Sequence, residues 1–327
     1  MSDPELATKA PESDAMEPSA ISSQDSKAQT GASMGEHCLT DRPNSDNRQP
    51  SGGMSKFGDI DVYISKPGDY PNAPAKLLLL LTAGTGVHSI NNQVQADMFA
   101  AEGFVVIMPD EFRGDSAPNS KAIAPEENPG ILEQFKLRAA ETAKSFLVDM
   151  WLARQTPEKV LPIVLQVIEA AKDEYADAVA HGEGIYCVGY CFGGKYAIML
   201  AGEHPDTAIA GQAAKDEEAG MTKQGPLIKA GAAAHATLVT REDLKAVKAP
   251  LTMVCVANYS TENDPLFPEE ILEDGRKHLA TSNVEHEIKT YSNVPHGFAV
   301  YGDYNSPAIR EAQASAFQQM LDWLKSH

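Results

Sequence analysis

The sequence predicts an α/β fold, a mostly parallel sheet covered by helices on both faces. Three observations predict it. Short apolar runs bounded by turn residues alternate with segments of helical periodicity from Ile60 onward. One run, Ile185 to Val188, passes through Gly189-Tyr190-Cys191-Phe192-Gly193-Gly194 directly into a helical pattern, Lys195 to Glu203. Further on, Asp264 and His296 each follow a predicted strand, at the carboxyl edge where open α/β sheets build their sites.

The elements follow in order. Ile60–Ile64 alternates into a first strand, ended by Lys66-Pro67-Gly68. Leu77–Leu81 lies between Lys76 and Thr82 and is a central strand, followed by the turn Ala83-Gly84-Thr85-Gly86. Val94, Met98, Phe99 and Ala101 mark one side of a helix over 91–102. Phe104–Met108 is the next strand, closed by Pro109-Asp110. The stretch 111–130, rich in Pro, Gly and Asn, is a long loop of the kind that carries function. Helices are expected at 132–148 and 158–179, the second with a stripe of Val160, Val164, Val167, Ile168 and Ala171. After the turn at Cys191, a strand is expected at 209–213, and 215–237 shows no clear pattern. Strands at 251–256 and 286–291 precede a last helix over 306–324, whose packing face carries Ile309, Phe317, Met320, Leu321 and Leu324. No internal repeat is present.

The chain has 327 residues, enough for one large domain, 54–327, and an appendage. Residues 1–53 are dominated by Ser, Asp, Glu, Pro, Gln and Gly without apolar periodicity, so a disordered polar tail is expected. The tail resembles neither a mitochondrial presequence nor a signal peptide, and no run approaches the ~18 apolar residues of a membrane span. Net charge of −19 argues against a nucleic-acid partner and favours solubility. Four cysteines, Cys38, Cys187, Cys191 and Cys255, show no CxxC or Cys/His ligand spacing, so zinc is not expected. A cytoplasmic location, with free thiols and no cofactor, fits this usage.

The turn at Cys191 has the form of a nucleophile elbow, the sharp strand-to-helix turn of α/β-hydrolases, with cysteine where serine is usual. Glycines two residues to either side remove Cβ atoms that would clash in so tight a turn. The sulfur stands at a helix N-terminus, where the macrodipole favours a thiolate. An inert core thiol is the structural alternative. Triads on this fold run in the order nucleophile, acid, histidine, and Cys191, Asp264 and His296 keep it. Asp264 is also a plausible helix cap before Pro268, with Glu262 and Asp303 as substitute acids, and His296 is open to a purely structural role. The Gly84-Thr85-Gly86 turn lacks the lysine of a P-loop and the third glycine of a dinucleotide fold, so an oxyanion loop is the better reading.

Together these residues resemble the dienelactone hydrolase family, carboxymethylenebutenolidase-like α/β-hydrolases, and its fungal members in particular. The resemblance runs from about Lys56 to His327. Its landmarks are Gln95-Ala96-Asp97, Val106-Ile107-Met108-Pro109-Asp110, the Gly189–Gly194 elbow, Glu262-Asn263-Asp264-Pro265-Leu266-Phe267-Pro268 and Pro295-His296-Gly297-Phe298. It implies Cys191 as nucleophile, Asp264 as acid, His296 as base, and the amides of Phe192 and Gly84 as oxyanion donors. Bacterial members carry a glutamate where this chain has Ala83, and hold the substrate carboxylate with two arginines. Arg113 matches the first; Val300 stands at the second. Asn258-Tyr259-Ser260-Thr261 lengthens the approach to Asp264.

The expected chemistry is acyl transfer from a small ester or lactone to Cys191 and then to water. His88, Phe112, Tyr190 and Phe298 are candidates to line the pocket or only to pack the loops, and Arg113 to bind substrate or only to balance nearby acids. With Val300 in place of a cation, neutral esters are expected to be preferred over carboxylated lactones. A non-hydrolytic thiol-bearing binding or redox-sensing protein, and a thioesterase or peptidase, remain alternative readings of the same fold. The assembly is expected to be a monomer or homodimer.

Overall fold

Five consecutive leucines, Leu77–Leu81, are all buried, which places their strand in the middle of a sheet covered on both sides. In the computed structural model, which describes residues 38–44, 46–118, 146–205, 223–257 and 266–327, eight strands form that sheet. They are β1 (Gly53–Phe57), β2 (Ile60–Ser65), β3 (Lys76–Leu81), β4 (Phe104–Pro109), β5 (Ile185–Tyr190), β6 (Ala230–Ala234), β7 (Leu251–Ala257) and β8 (His286–Ser292). The spatial order is β1-β2-β4-β3-β5-β6-β7-β8. β1 and β2 pair antiparallel, as do β2 and β4, and every other pairing is parallel.

Strand parity distributes the helices. Leu77, Leu79, Ile107 and Ile185 meet Ile168 and Ala171 of α2 (Pro157–Glu174) on one face. On the other, Phe104 meets Phe99 of α1 (Ile90–Ala101) edge to face, and Phe99 meets Phe317 of the last helix, Pro307–Ser326. The short helix α3 is Ala176–Gly182, and α4 (Phe192–Leu200) follows β5 on the α2 face, where Gly193 abuts Leu81. Two further helices complete the carboxyl half, α5 (Arg241–Ala246) and α6 (Glu269–Thr281), so the last helix is α7. Because helices cover both sides, the central strands read as unbroken apolar runs.

Most expected elements are present within a few residues of their predicted limits. The helix expected at 158–179 divides at Tyr175 into α2 and α3. The helix expected at 132–148 falls outside the described residues except for 146–148, which are helical and continue to 154. The strand expected at 209–213 lies wholly outside them. β6 was missed: Ala230-Gly231-Ala232-Ala233-Ala234 carries no β-branched or aromatic residue, and its strand character comes from neighbours on both sides. Among the described residues no helix is long and apolar enough to cross a membrane.

The polar stretch expected to be a tail up to residue 53 is corrected in its last part. Residues 38–44 and 46–52 form a strap on the domain. Cys38 is 0% and Leu39 3% exposed. Asp41 accepts hydrogen bonds from Ser89 Oγ and the Ile90 amide at the start of α1. Arg42 donates to Tyr304 Oη and the Val300 carbonyl and lies over the Tyr304 ring, while the Asp303 amide bonds the Pro43 carbonyl. Composition missed this because the strap docks through a few buried residues and side-chain bonds without any periodic face. Deleting residues 1–52 is therefore expected to cost about 2 kcal/mol, roughly 5 °C in melting temperature for a domain this size. An unchanged melting curve would show that the strap contributes nothing to stability.

Candidate active site

Every element of the site sits at the carboxyl end of a parallel strand. Cys191 follows β5, Thr82 to Gly84 follow β3, Asp110 and Glu111 follow β4, His235 to Thr237 follow β6, and His296 lies beyond β8. Cys191 has φ 52° and ψ −112°. A non-glycine residue held there costs on the order of 1–3 kcal/mol, so its surroundings must hold it. They do so through the backbone: the Cys191 amide donates to the Ala234 carbonyl at 3.0 Å, and the Cys191 carbonyl accepts from Thr237 at 3.0 Å and Gly194 at 3.1 Å. A Cβ on Gly189 would lie 2.3 Å from the Gly193 carbonyl oxygen, and one on Gly193 would lie 2.4 Å from the Leu81 backbone. The Gly193 amide donates to Thr82 at 2.9 Å, tying the elbow to the end of β3.

The side chains converge. Cys191 Sγ is 3.2 Å from Thr237 Oγ1, which is 3.2 Å from His296 Nε2. Burial pushes the Cys191 thiol up, but hydrogen bonds from Cys38, His235 and His296, with the His296 charge, more than offset it, so the thiol is held well below its ordinary range. Cys191 is 0% exposed, so a substrate reaches it only when neighbouring groups move. A cleft of about 420 Å³ lies at the opposite edge of the sheet near Ile185 and Lys229, away from this chemistry.

The other sequence-predicted residues fare differently. Phe192 opens α4, where no intrahelical carbonyl awaits its amide, and Gly84 stands two residues past Thr82, whose carbonyl holds the Gly193 amide of the elbow. Phe112 is fully buried, with its ring 5.1 Å from Trp151 and 5.2 Å from Phe192. Phe298 is equally buried against Tyr291 and His235. Tyr190 is buried with an unpartnered hydroxyl, and burial pushes its phenol up. Of the three, Phe112 packs directly on Phe192 of the elbow. His88 is exposed near Asp61 and Asp110. Arg113 is paired with Asp59 at 2.6 Å, so part of its charge is already answered within the protein. The cation missing from position 300 has a neighbour in the strap, since the Arg42 guanidinium stands on the Val300 carbonyl. Asp264 and Glu262 lie outside the described residues. Asp303 faces Arg42 of the strap.

Three residues escaped the sequence reading. Thr237 and His235 follow β6 at the end of the stretch 215–237 that showed no clear pattern, and the His235 ring is buried 5.1 Å from His296. Glu111 is the third. Its Oε1 accepts from the Thr82 amide at 2.7 Å and Thr82 Oγ1 at 2.9 Å, while Oε2 is buried without a partner. Where bacterial relatives are expected to carry a glutamate after β3, this chain has Ala83, and a carboxyl reaches the adjacent residue from β4 instead. Burial pushes Glu111 up to about 8, with Thr82 opposing the rise and Asp110 adding to it. The carboxyl is therefore mostly protonated at neutral pH.

A strained cysteine between β5 and α4, with a histidine beyond β8, narrows the possible families. The family model for the Dienelactone hydrolase family matches residues 60–214 and 218–327. The chain belongs to the dienelactone hydrolase family. It is similar to Hydrolase tropI of Talaromyces stipitatus, 31% identical over 281 residues, covering 85% of this chain and 91% of that one. Hydrolase pyvD of Aspergillus violaceofuscus is 30% identical over 279 residues, with the same two coverages of 85% and 91%. Among solved structures, esterase 2 of Thermogutta terrifontis superposes with a TM-score of 0.53 at 14% identity, covering 86% of this chain and 97% of that one, which speaks to the fold. This family member is an α/β-hydrolase that acts on esters or lactones.

Proposed function

We propose that the chain hydrolyses a small neutral ester or lactone through a Cys191-His296-Asp264 triad and a thioester acyl-enzyme. The observation that carries this reading is the contact series from Cys191 Sγ through Thr237 Oγ1 to His296 Nε2, set on a strained elbow. Catalytic hydrogen bonds are often long before substrate binds, so a hydroxyl lodged between thiol and imidazole suits a resting site. Asp264 is assigned on its place after β7. The chain leaves β7 at Ala257, and Leu266 accepts a hydrogen bond from the Leu238 amide at 2.8 Å, one residue from Thr237.

In the first half-reaction the Cys191 proton passes to His296 and the sulfur attacks the carbonyl carbon. The amides of Phe192 and Gly84 receive the oxyanion, each donor worth on the order of 3 kcal/mol. Collapse expels the alkoxide, which takes the His296 proton. Water, deprotonated by His296, then attacks the thioester and restores the thiol. Asp264 holds the imidazole tautomer and steadies the imidazolium.

Mixing the protein with an activated ester and quenching in acid should leave one acyl group on Cys191, located by peptide mass spectrometry. With Arg113 already paired to Asp59, the free acid of a matched pair should acylate Cys191 more slowly than its methyl ester. An acyl group found on another residue, or turnover with no covalent species at any quench time, would defeat the proposal.

A further inference from the structure

Cys38 Sγ, Cys191 Sγ and a ring nitrogen of His296 all lie within 4.8 Å of one another. Three separate parts of the chain supply them: the strap, the elbow and the loop beyond β8. Both cysteines are 0% exposed, and His296 is partly buried. The strap is fastened close to Cys38 on its carboxyl side, by Asp41 to the start of α1 and by Arg42 to Val300 and Tyr304, so the Cys38 sulfur is held in place.

Tetrahedral zinc takes sulfur at ~2.3 Å and imidazole nitrogen at ~2.0–2.1 Å, which sets the ligand atoms roughly 3.5–3.8 Å apart. Closing from 4.8 Å or less asks for shifts of about 1 Å, within reach of side-chain rotation. Two thiolates and an imidazole form a soft donor set, which selects zinc-like ions over magnesium or calcium. Sequence spacing hid the set, because its members are brought together only by the strap and the sheet edge.

We propose that Cys38, Cys191 and His296 form a binding site for a thiophilic divalent cation, with zinc the best fit, and that filling it silences the nucleophile. On binding, two S–H bonds break and their protons go to solvent. Two Zn–S bonds form, the neutral imidazole donates one lone pair, and the ion keeps one water while shedding the rest. No electrons are transferred. Thr237 gives up its contacts with Cys191 and His296. The metal-bound sulfur cannot attack a carbonyl, and the metal-bound imidazole cannot accept a proton. Only this inhibitory consequence rests on the proposed function; the binding site does not.

The test uses the full chain, reduced with a phosphine and freed of metal. Calorimetry with zinc should give one ion per chain. Cobalt in its place should give a thiolate-to-metal charge-transfer band and the visible bands of a tetrahedral site. Cys38→Ser should weaken zinc binding by about 100-fold or more, since even losing a residue that only supports a ligand costs ~10–100-fold. His88→Ala should leave binding unchanged, which separates this site from the Asp61, His88 and Asp110 group. The ratio of ester hydrolysis with and without zinc should approach zero in the wild type and stay near one in Cys38→Ser at the same zinc level. If Cys38→Ser misfolds by circular dichroism, Cys191→Ser takes its place in the binding arm. Undiminished binding in the folded cysteine variants, loss of binding in His88→Ala, or cobalt spectra without thiolate bands would overturn the site. Zinc binding as described in a protein that hydrolyses no ester would overturn the catalytic reading and leave the site standing.

Discussion

Cys191→Ala is expected to lower kcat/KM for an activated ester by about 10⁴-fold or more while leaving the fold intact. The thiol is the only atom removed, and alanine meets the same φ of 52° that the backbone bonds to Ala234, Thr237 and Gly194 already impose. Cys191→Ser keeps the shape but replaces an acidic thiol by a hydroxyl that needs much stronger base assistance. It too should lose most activity. His296→Ala should be severe, and the Cys191→Ala/His296→Ala pair should be little worse than Cys191→Ala alone, because a triad acts as a unit. Steady-state rates across these variants check the expectation, with circular dichroism as the folding control. Activity near wild type in Cys191→Ala would remove sulfur from the mechanism.

The second large effect is on stability, through Glu111. Its folded carboxyl keeps a proton up to about pH 8, whereas an unfolded glutamate loses it near 4.5. Between those values the folded state binds more protons, so this group's contribution is full below about 4.5 and is lost as pH rises toward 8. The size is on the order of 3–5 kcal/mol, since each tenfold difference in proton affinity between the two states is worth ~1.4 kcal/mol. Glu111→Gln cannot ionise, and its amide oxygen can still accept from Thr82. The gap in urea-unfolding free energy between the variant and the wild type should therefore move in the variant's favour by several kcal/mol from about pH 5 to about pH 8. Using the difference cancels the Cys191 thiol, whose lowered pKa acts with the opposite sign. Parallel profiles for the two proteins would mean that Glu111 is already ionised in the folded state.

Much of this protein could be read in one dimension. Buried parallel strands such as Leu77–Leu81 and Phe104–Met108 leave continuous apolar runs, and α2 leaves a 3.6-residue stripe, because their burial is periodic along the chain. The elbow was legible for a local reason: Cys191 can adopt its conformation only if Gly189 and Gly193 carry no Cβ against Gly193 and Leu81. His296 was legible from its turn after a strand.

What the sequence alone determined, then, was the order of most of the described elements and a strand-to-helix turn at Cys191 that imposes its own residue pattern. The tertiary structure decided what has no such local pattern. β6 is a strand because β5 and β7 pair with it, since alanine and glycine by themselves favour no sheet, and its end delivers His235 and Thr237 to the sulfur. The Glu111 carboxyl is pushed up because folding strips water from it, a property of the surroundings and not of the residue. Cys38 reads as part of a polar tail, yet strap bonds to α1 and to the loop beyond His296 bring it beside Cys191. Contacts between distant segments depend on pairing and burial summed over the whole fold, and a local window of sequence carries no record of that sum.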